Sequence, residues 1–428
     1  MNAKTENGSV QWLFLDLNSY FASCEQQENP ALRGKPIIIV QTIAETACAI
    51  AASYEAKRLG IKTGTLVHEA RKLCRDVVPV KANHALYTKY HHRILDAVDT
   101  CLPVEKVMSI DEMACRLMGR EREIEAAKEL AMKVKRTLRD KVGEKLTCSI
   151  GLGPNIFLGK VGSDLQKPDG LVVITKDNMP GPMLKMKLQD IYGIGPGIEQ
   201  RLNRFGIFDV AGLWAATPEK MKRAWGGVHG LLFYQMLHGA DVQPPESGES
   251  KSMGHQHVLE PELRTNSGAK NFAHHLLTKA AERLRRHDYY CQKLGVCIWW
   301  CGDKGHWWDE ISFHETWDTN FLLARLENVW ARAENLMSGR APLKPLAVSV
   351  VLLGLVPAEK HQPDLFEENA RSGKLSPLVD EINERFGRGS IGFGMKAAEV
   401  REVLSRQTSS GQGSGYAAFS RVPEEWEG

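Results

Sequence analysis

Two apolar runs, far apart in the chain, each end in carboxylates. Val10-Gln11-Trp12-Leu13-Phe14-Leu15 leads into Asp16, and Val104 to Ile110 leads into Asp111 and Glu112. Both runs read as buried strands. If the strands are neighbours, their acids face one pocket. Three carboxylates held together repel one another and lose solvation. A pair of divalent cations would relieve both penalties, and two-metal chemistry on phosphates needs that arrangement. The alternative is that these acids merely cap strand ends.

The chain of 428 residues is too long for one ordinary core and implies three or four modules. Arg plus Lys (55) barely exceeds Asp plus Glu (52), so net charge selects no partner. Distribution is more informative: basic residues gather around 185–223 and 270–293, compatible with nucleic acid. Nine cysteines are scattered without a paired metal signature, which reads as buried thiols in a reducing compartment. No signal-like segment or membrane-length apolar run is present in the sequence. A cytoplasmic protein without a membrane partner is expected.

Alternating patterns predict an α/β or α+β body with a mixed sheet: strands at 11–16, 37–41, 47–52, 104–110, 113–118, 146–153 and 170–174, with long helices at 84–100 and 122–138. Short glycine-punctuated helices fill 180–240. Residues 242–252, rich in Pro, Gly, Ser and Glu, read as a linker. A second unit opens with a strand and continues helix–strand–strand–helix–strand, which predicts a small sheet with two helices on one face. Residues 357–428 read as a tail with a short helix at 376–386.

The motifs resemble those of the Y-family, or translesion, DNA polymerases over roughly residues 10 to 400. The carriers are Asp16-Leu17-Asn18-Ser19-Tyr20-Phe21, Ser109-Ile110-Asp111-Glu112, and Tyr54-Glu55-Ala56-Lys57-Arg58-Leu59-Gly60. Ser149-Ile150-Gly151, Asn155, Lys160, Lys167-Pro168-Asp169-Gly170 and Lys251-Ser252-Met253-Gly254-His255 complete the pattern. The resemblance implies a right-hand polymerase: palm at 10–28 and 88–178, fingers at 29–87, a helical thumb with a helix–hairpin–helix at 179–241, a linker at 242–252, a little finger at 253–356 and a tail at 357–428. It implies template-directed transfer of deoxynucleotides from dNTPs to a primer 3′-hydroxyl, error-prone bypass of lesions and no proofreading.

The same resemblance assigns residues. Asp16, Asp111 and Glu112 would be the catalytic ligands of two Mg²⁺ ions, with the Leu17 carbonyl as a further ligand. Asn18 stands where relatives often carry an acid. Tyr54 and Lys57, on one helical face, and Lys167 would hold the triphosphate; Lys57 replaces the usual arginine, losing its bidentate fork. Phe21 would be a steric gate under the sugar. Tyr20 should point into packing instead. Ala47, Ala49, Ala51 and Ala52 fit a loosely packed surface over the base pair.

DNA contacts would come from the glycine turn Gly193, Gly195 and Gly197, and from Lys279, Arg283 and Arg286, which helical spacing puts on one side. Lys270, Arg285 and Lys293 are further basic candidates. Trp299, Trp300, Trp307 and Trp308 read as core or hairpin packing ahead of a base-stacking platform. Gln362-Pro363-Asp364-Leu365-Phe366 resembles the peptide that bacterial polymerases insert into the sliding clamp, with Gln362, Leu365 and Phe366 as its anchors. The stretch Leu375 to Gly387 resembles the tail of the bacterial UV-mutagenesis polymerase subunit, which points to that branch and to mutagenesis accessory subunits as partners. The rivals are a non-catalytic DNA-bound scaffold and a metal-dependent phosphodiester hydrolase.

Overall fold

The computed structural model describes residues 10–242, 252–302, 304–338, 343–362, 375–387 and 390–393. They form two compact units, divided after Glu246. No helix among the described residues is long and apolar enough to cross a membrane.

The first unit runs β1 (Trp12–Leu17), α1 (Tyr20–Glu28), β2 (Ile37–Val40), β3 (Ala49–Ala52), α2 (Tyr54–Arg58), α3 (Val67–Leu73), β4 (Val78–Lys81) and α4 (His84–Asp99). It continues through β5 (Lys106–Val107), β6 (Glu112–Arg116), α5 (Ile124–Lys141), β7 (Cys148–Gly153), α6 (Ile156–Leu165) and β8 (Leu171–Val173). Four short helices follow: α7 (Pro196–Arg204), α8 (Val210–Trp214), α9 (Pro218–Trp225) and α10 (Val228–Leu237).

The main sheet has the order β5-β6-β1-β7-β8, with β1 antiparallel to both its neighbours. Every β1 residue is buried, because both sheet faces are covered. Leu13, Leu15 and Leu17 join the core with α4 and α5, while Trp12 and Phe14 pack on the opposite side with Ala114 and Ile156. Strand alternation therefore puts Asp16 on the Trp12/Phe14 face, toward α6.

The apolar run 104–110 is not the strand its composition suggests. Only Lys106 and Val107 pair in β5, and the Met108 and Ser109 amides both donate to the Glu112 carbonyl, closing a turn. Asp111 lies in that turn and Glu112 begins β6. A short apolar run fits a turn approach as well as a strand, and Ser109 and Asp111 supply local bonds that end the ladder. A second small sheet, order β3-β2-β4, includes a strand the pattern reading lacks: Val78-Pro79-Val80-Lys81 pairs parallel to β2 at the sheet edge, where proline's missing N–H is tolerated. Ala49 and Ala52 are packed core here, whereas Ala47 and Ala51 are half-buried.

Asn155, just after β7 of the main sheet, ties α10 to α6. Its side chain caps α6 by accepting from the Leu158 amide (2.7 Å) and donates to the carbonyls of Met236 and Ala240 (2.8 and 2.9 Å). The helices α7–α10 share one core with α6, built on Phe157, Leu158, Val161, Leu202, Leu213 and Phe233.

The second unit comprises β9 (Ser252–Val258), α11 (Asn266–Arg286), β10 (Tyr289–Trp300), β11 (His306–Thr316), α12 (Thr319–Ser338), β12 (Pro345–Leu353), β13 (Val356–Pro357) and α13 (Leu375–Phe386). The sheet order is β11-β10-β12-β9, fully antiparallel, and α11 and α12 bury Phe272, Leu277, Leu326 and Trp330 against it. Trp300 is buried and Trp307 packs against this core, while Trp308 is 45% exposed. The Trp308 ring lies over Gly295, where an added Cβ would come within 2.3 Å of it.

The tail helix α13 is anchored. Arg285 is buried and donates from Nε and Nη2 to both oxygens of Asp380 (2.6 and 2.8 Å), and from Nη1 to the Trp317 carbonyl and Thr319 hydroxyl. Arg285 is thus structural rather than a DNA contact. Removing the partly exposed acid leaves the buried guanidinium with neutral acceptors alone, at a cost of about 1–3 kcal/mol. Asp380→Ala is therefore expected to release α13, seen as faster proteolytic cleavage within 375–386 and a lower urea midpoint. The exposed Glu381→Ala is the control, and equal behaviour of the two variants would refute the anchor.

Candidate active site

The acids meet through strand pairing. Asp16 and Glu112 are register partners across β1 and β6, and cross-strand partners project to the same face. Asp111, one residue earlier, is held by its turn: its carbonyl accepts from the Leu17 amide (2.9 Å), and its carboxylate accepts from the Ser109 hydroxyl (2.6 Å). His91 Nδ1 lies 2.8 Å from the neighbouring Ile110 carbonyl and braces the turn from α4.

Asp16, Leu17, Phe21, Lys57, Asp111, Glu112, Lys160 and Lys167 line one open cleft of about 300 Å³, with Ile50, Ala51 and Ala52 of β3 on one wall. Tyr54 stands beside it: the Lys57 ammonium lies 4.6 Å from the Tyr54 ring centroid, as three-residue helical spacing dictates. Partial burial, then the nearby Lys167 charge, holds the Lys57 pKa below the lysine norm. Burial raises the Tyr54 pKa, opposed by Lys167. Both residues therefore sense the same spot as Lys167.

Lys160 and Lys167 already pair with the acids. The Lys160 ammonium lies 2.5 Å from Asp16, 2.7 Å from Glu112 and 3.2 Å from Asp164. Lys167 lies 2.8 Å from Asp16 and 2.9 Å from Asp164. The repulsion among these carboxylates, which pointed to a pair of divalent cations, is thus partly offset by the chain's own lysines. Among the described residues, no three acidic, His or Cys side chains stand ready to cage an ion as arranged. Compensation is nonetheless partial: burial, reinforced by Asp16, raises the pKa of Asp111, and burial raises that of Glu112 against the pull of Lys160. The side chains gathered here offer oxygen donors, the carboxylates of Asp16, Asp111 and Glu112, which suit Mg²⁺.

Phe21 is half-buried and stacked on Tyr87, with centroids 4.4 Å apart. Ser19, at φ 49°, turns the chain sharply from β1 into α1 and sets the Phe21 position. Tyr20 is buried and donates its hydroxyl to the Tyr87 carbonyl (2.6 Å). Asn18 has a role that sequence reading missed. Its Oδ1 accepts from the Asp169 amide (2.8 Å) and the Thr147 hydroxyl (3.2 Å), while Nδ2 donates to Ser149 Oγ (3.0 Å). The turn carrying Lys167 is thereby pinned to the end of β1.

Other assigned residues lie elsewhere. Gly193 (φ 88°) shapes the turn before α7, and a Cβ on Gly195 or Gly197 would meet nothing, so their backbone faces open space. In the second unit, Lys279 and Arg283 lie beside His255 of β9, whose pKa falls to about 4 through burial and then their two charges. Arg286 is exposed and pairs with Glu282 (3.0 Å). Lys270 pairs with Glu327 and Lys293 with Glu310. Gln362 is exposed, whereas Leu365 and Phe366, like most of the linker, lie outside the described residues.

Two models of the impB/mucB/samB family match: the family model over residues 15–164 and its C-terminal-domain model over 250–365. The chain is 33% identical over 388 residues to a DNA polymerase IV of Moorella thermoacetica, covering 89% of this chain and 94% of that one. It is 31% identical to a DNA polymerase IV of Pelotomaculum thermopropionicum, covering 89% and 93%. It is 25% identical to DNA polymerase IV 1 of Bacillus subtilis, covering 92% and 94%. A Y-family DNA polymerase chimera of Dbh and Dpo4 superposes with a TM-score of 0.66 at 22% identity, covering 81% of this chain and 99% of that chain. The architecture is accordingly the palm, fingers, thumb and little finger of that fold, the last being the four-stranded sheet with two helices. These matches overturn the UV-mutagenesis branch expected from the tail. That resemblance rested on about a dozen residues of one amphipathic helix, a pattern many surface helices share, whereas the relatives match along nearly the whole chain. The chain belongs to the Y-family DNA polymerases, in the DNA polymerase IV branch.

Proposed function

We propose that the protein is a template-directed DNA polymerase that extends a primer from dNTPs, bypasses damaged template positions with low fidelity and lacks proofreading. The observation that carries this reading is the convergence of Asp16, Asp111, Glu112, Lys57, Lys167 and Phe21 on one cleft. Two magnesium ions, when bound, supply activation of the primer 3′-hydroxyl and charge neutralisation at the reacting phosphate. Asp16 and Asp111 would hold both, Glu112 the ion at the primer side, and the Leu17 carbonyl would complete the oxygen set.

The residues divide the remaining work. Lys57 and Lys167 offset triphosphate charge, and the Tyr54 hydroxyl donates to it. Lysine at position 57 acts as a point charge and fixes phosphate orientation less firmly than an arginine fork. Phe21, backed by Tyr87, closes the floor beneath the sugar. The open backbone at Gly195 and Gly197 suits a phosphate of the primer duplex, and Lys279, Arg283 and Arg286 suit phosphates further along, both without sequence selectivity. The domain limits follow the motifs: palm 10–28 and 88–178, fingers 29–87, thumb 179–241, linker 242–252, little finger 253–356 and tail 357–428. Work on DNA places the protein at the nucleoid in the cytoplasm.

Primer extension on intact and damaged templates tests the reading. Nucleotide-dependent lengthening is expected; shortening would favour hydrolysis, and no reaction would favour a scaffold. The retained acids and Lys167 argue against the scaffold. A sliding clamp is the proposed partner of Gln362, Leu365 and Phe366. Deleting 362–366 is expected to weaken clamp capture and clamp-stimulated extension while basal extension stays unchanged. Clamp binding equal to that of the full chain would remove the assignment.

A further inference from the structure

Lys160 reaches the acids because α6 lies close against the sheet. Glycines occupy both sides of the contact: a Cβ on Gly151 would come within 1.9 Å of the Gly159 carbonyl, and one on Gly159 within 2.9 Å of Phe14 Cβ. No side chain fits between them, so the helix backbone seats directly on β7 and β1. Lys160 therefore projects from a fixed backbone, and its side chain is only 12% exposed. Lys167, on the turn after α6, is 30% exposed.

The pairing is closed. Asp16 Oδ2 accepts from both ammonium groups, and Asp164 Oδ1 accepts from both as well. Glu112 Oε1 accepts from Lys160. Asp16 and Glu112 are also the oxygens a divalent cation would use. An ammonium within 3 Å of those oxygens repels an arriving cation strongly in a partly buried site.

We propose that Lys160 is a built-in counter-cation that competes with divalent metal for Asp16 and Glu112, and that Asp164 receives both lysines when metal enters. This rests on the metal-site reading above and deepens it. Asp164 lies one helical turn from Lys160, so the displaced ammonium keeps a partner by side-chain rotation alone. Without that partner a half-buried charge would be stranded. The same exchange frees Lys167 from Asp16 for the triphosphate, coupling metal entry to phosphate capture. Lys160 and Asp164 act through Asp16 and Glu112 and are positioning residues.

Mn²⁺ binding to the full chain, without DNA or nucleotide, tests this by the loss of the free-ion paramagnetic resonance signal, alongside melting in EDTA and in Mn²⁺. Lys160→Met keeps stem length and removes charge. It is expected to bind Mn²⁺ at least about tenfold more tightly, since an opposing charge is gone. It should also melt below wild type in EDTA and gain more on Mn²⁺ addition. Lys160→Arg, which keeps the charge, is expected to bind Mn²⁺ as wild type does. Asp164→Asn is expected to weaken Mn²⁺ binding, and to do so less in the Lys160→Met background. Unchanged or weaker binding by Lys160→Met overturns the proposal, as does equal tightening by Lys160→Arg. If Lys160→Met does not fold, Lys160→Gln against Lys160→Arg makes the same comparison. Equal Mn²⁺ binding by wild type and Asp16→Asn would instead overturn the metal-site reading itself.

Discussion

Asp16→Asn is expected to abolish magnesium-dependent primer extension while leaving the chain folded. The substitution preserves shape at a site only 5% exposed in the centre of the main sheet. The strand register with Glu112 and Ser149 involves backbone alone and should persist. Neither lysine is orphaned: Lys160 keeps Glu112 and Asp164, and Lys167 keeps Asp164. What disappears is the carboxylate proposed to be shared by both ions. Metal-centred charge stabilisation is worth several kcal/mol, so the single-turnover rate should fall at least about a thousandfold. A melt followed by circular dichroism supplies the folding control. A folded variant that extends primers within about tenfold of wild type would remove Asp16 from the chemistry.

The path from residues to this site was partly visible in the chain itself. Alternation and apolar spacing delineate β1, α4, α5 and the main strands and helices of the second unit, because each buries a continuous face. The convergence of residues 16 and 111 was readable from two acid-terminated runs, though for an imperfect reason. The second run is a turn approach: Asp111 sits in the turn and Glu112 begins β6, so neither ends a strand. Lys160 was visible only as a motif member. Its reach depends on glycines meeting across a helix–sheet contact, and no single-segment pattern encodes that distance. Asn18 was noted as a departure from the usual acid, but its grip on the Lys167 turn involves Thr147, Ser149 and Asp169, which only folding assembles. The β4 strand was hidden by Pro79, since proline argues against a strand unless the strand is known to be an edge. Arg285 looked like its basic neighbours because burial by a distant acid, Asp380, leaves no local trace.

Phe21→Ala is expected to raise the ribonucleotide-to-deoxyribonucleotide ratio of kcat/KM by about 5- to 150-fold, the factor that corresponds to an overpacking penalty of about 1–3 kcal/mol. Exclusion of a 2′-hydroxyl by a ring works only if the ring cannot retreat. Here retreat is blocked by the Tyr87 ring stacked behind it. Tyr87 is itself fully buried, and its hydroxyl donates to Glu25 (2.8 Å) while its carbonyl accepts from Tyr20. The proposed gate would thus be a three-residue assembly, with Phe21 as the face and Tyr87 and Tyr20 as its backing. Phe21→Leu, smaller but still bulky, should give an intermediate ratio. Tyr87→Phe keeps the stacked ring and loses only the bond to Glu25, so it should shift the ratio in the same direction by a smaller factor. Competition between ribonucleotide and deoxyribonucleotide in single-nucleotide primer extension measures all three. An unchanged ratio in Phe21→Ala, with deoxyribonucleotide insertion intact, would show that sugar selection lies elsewhere in the cleft.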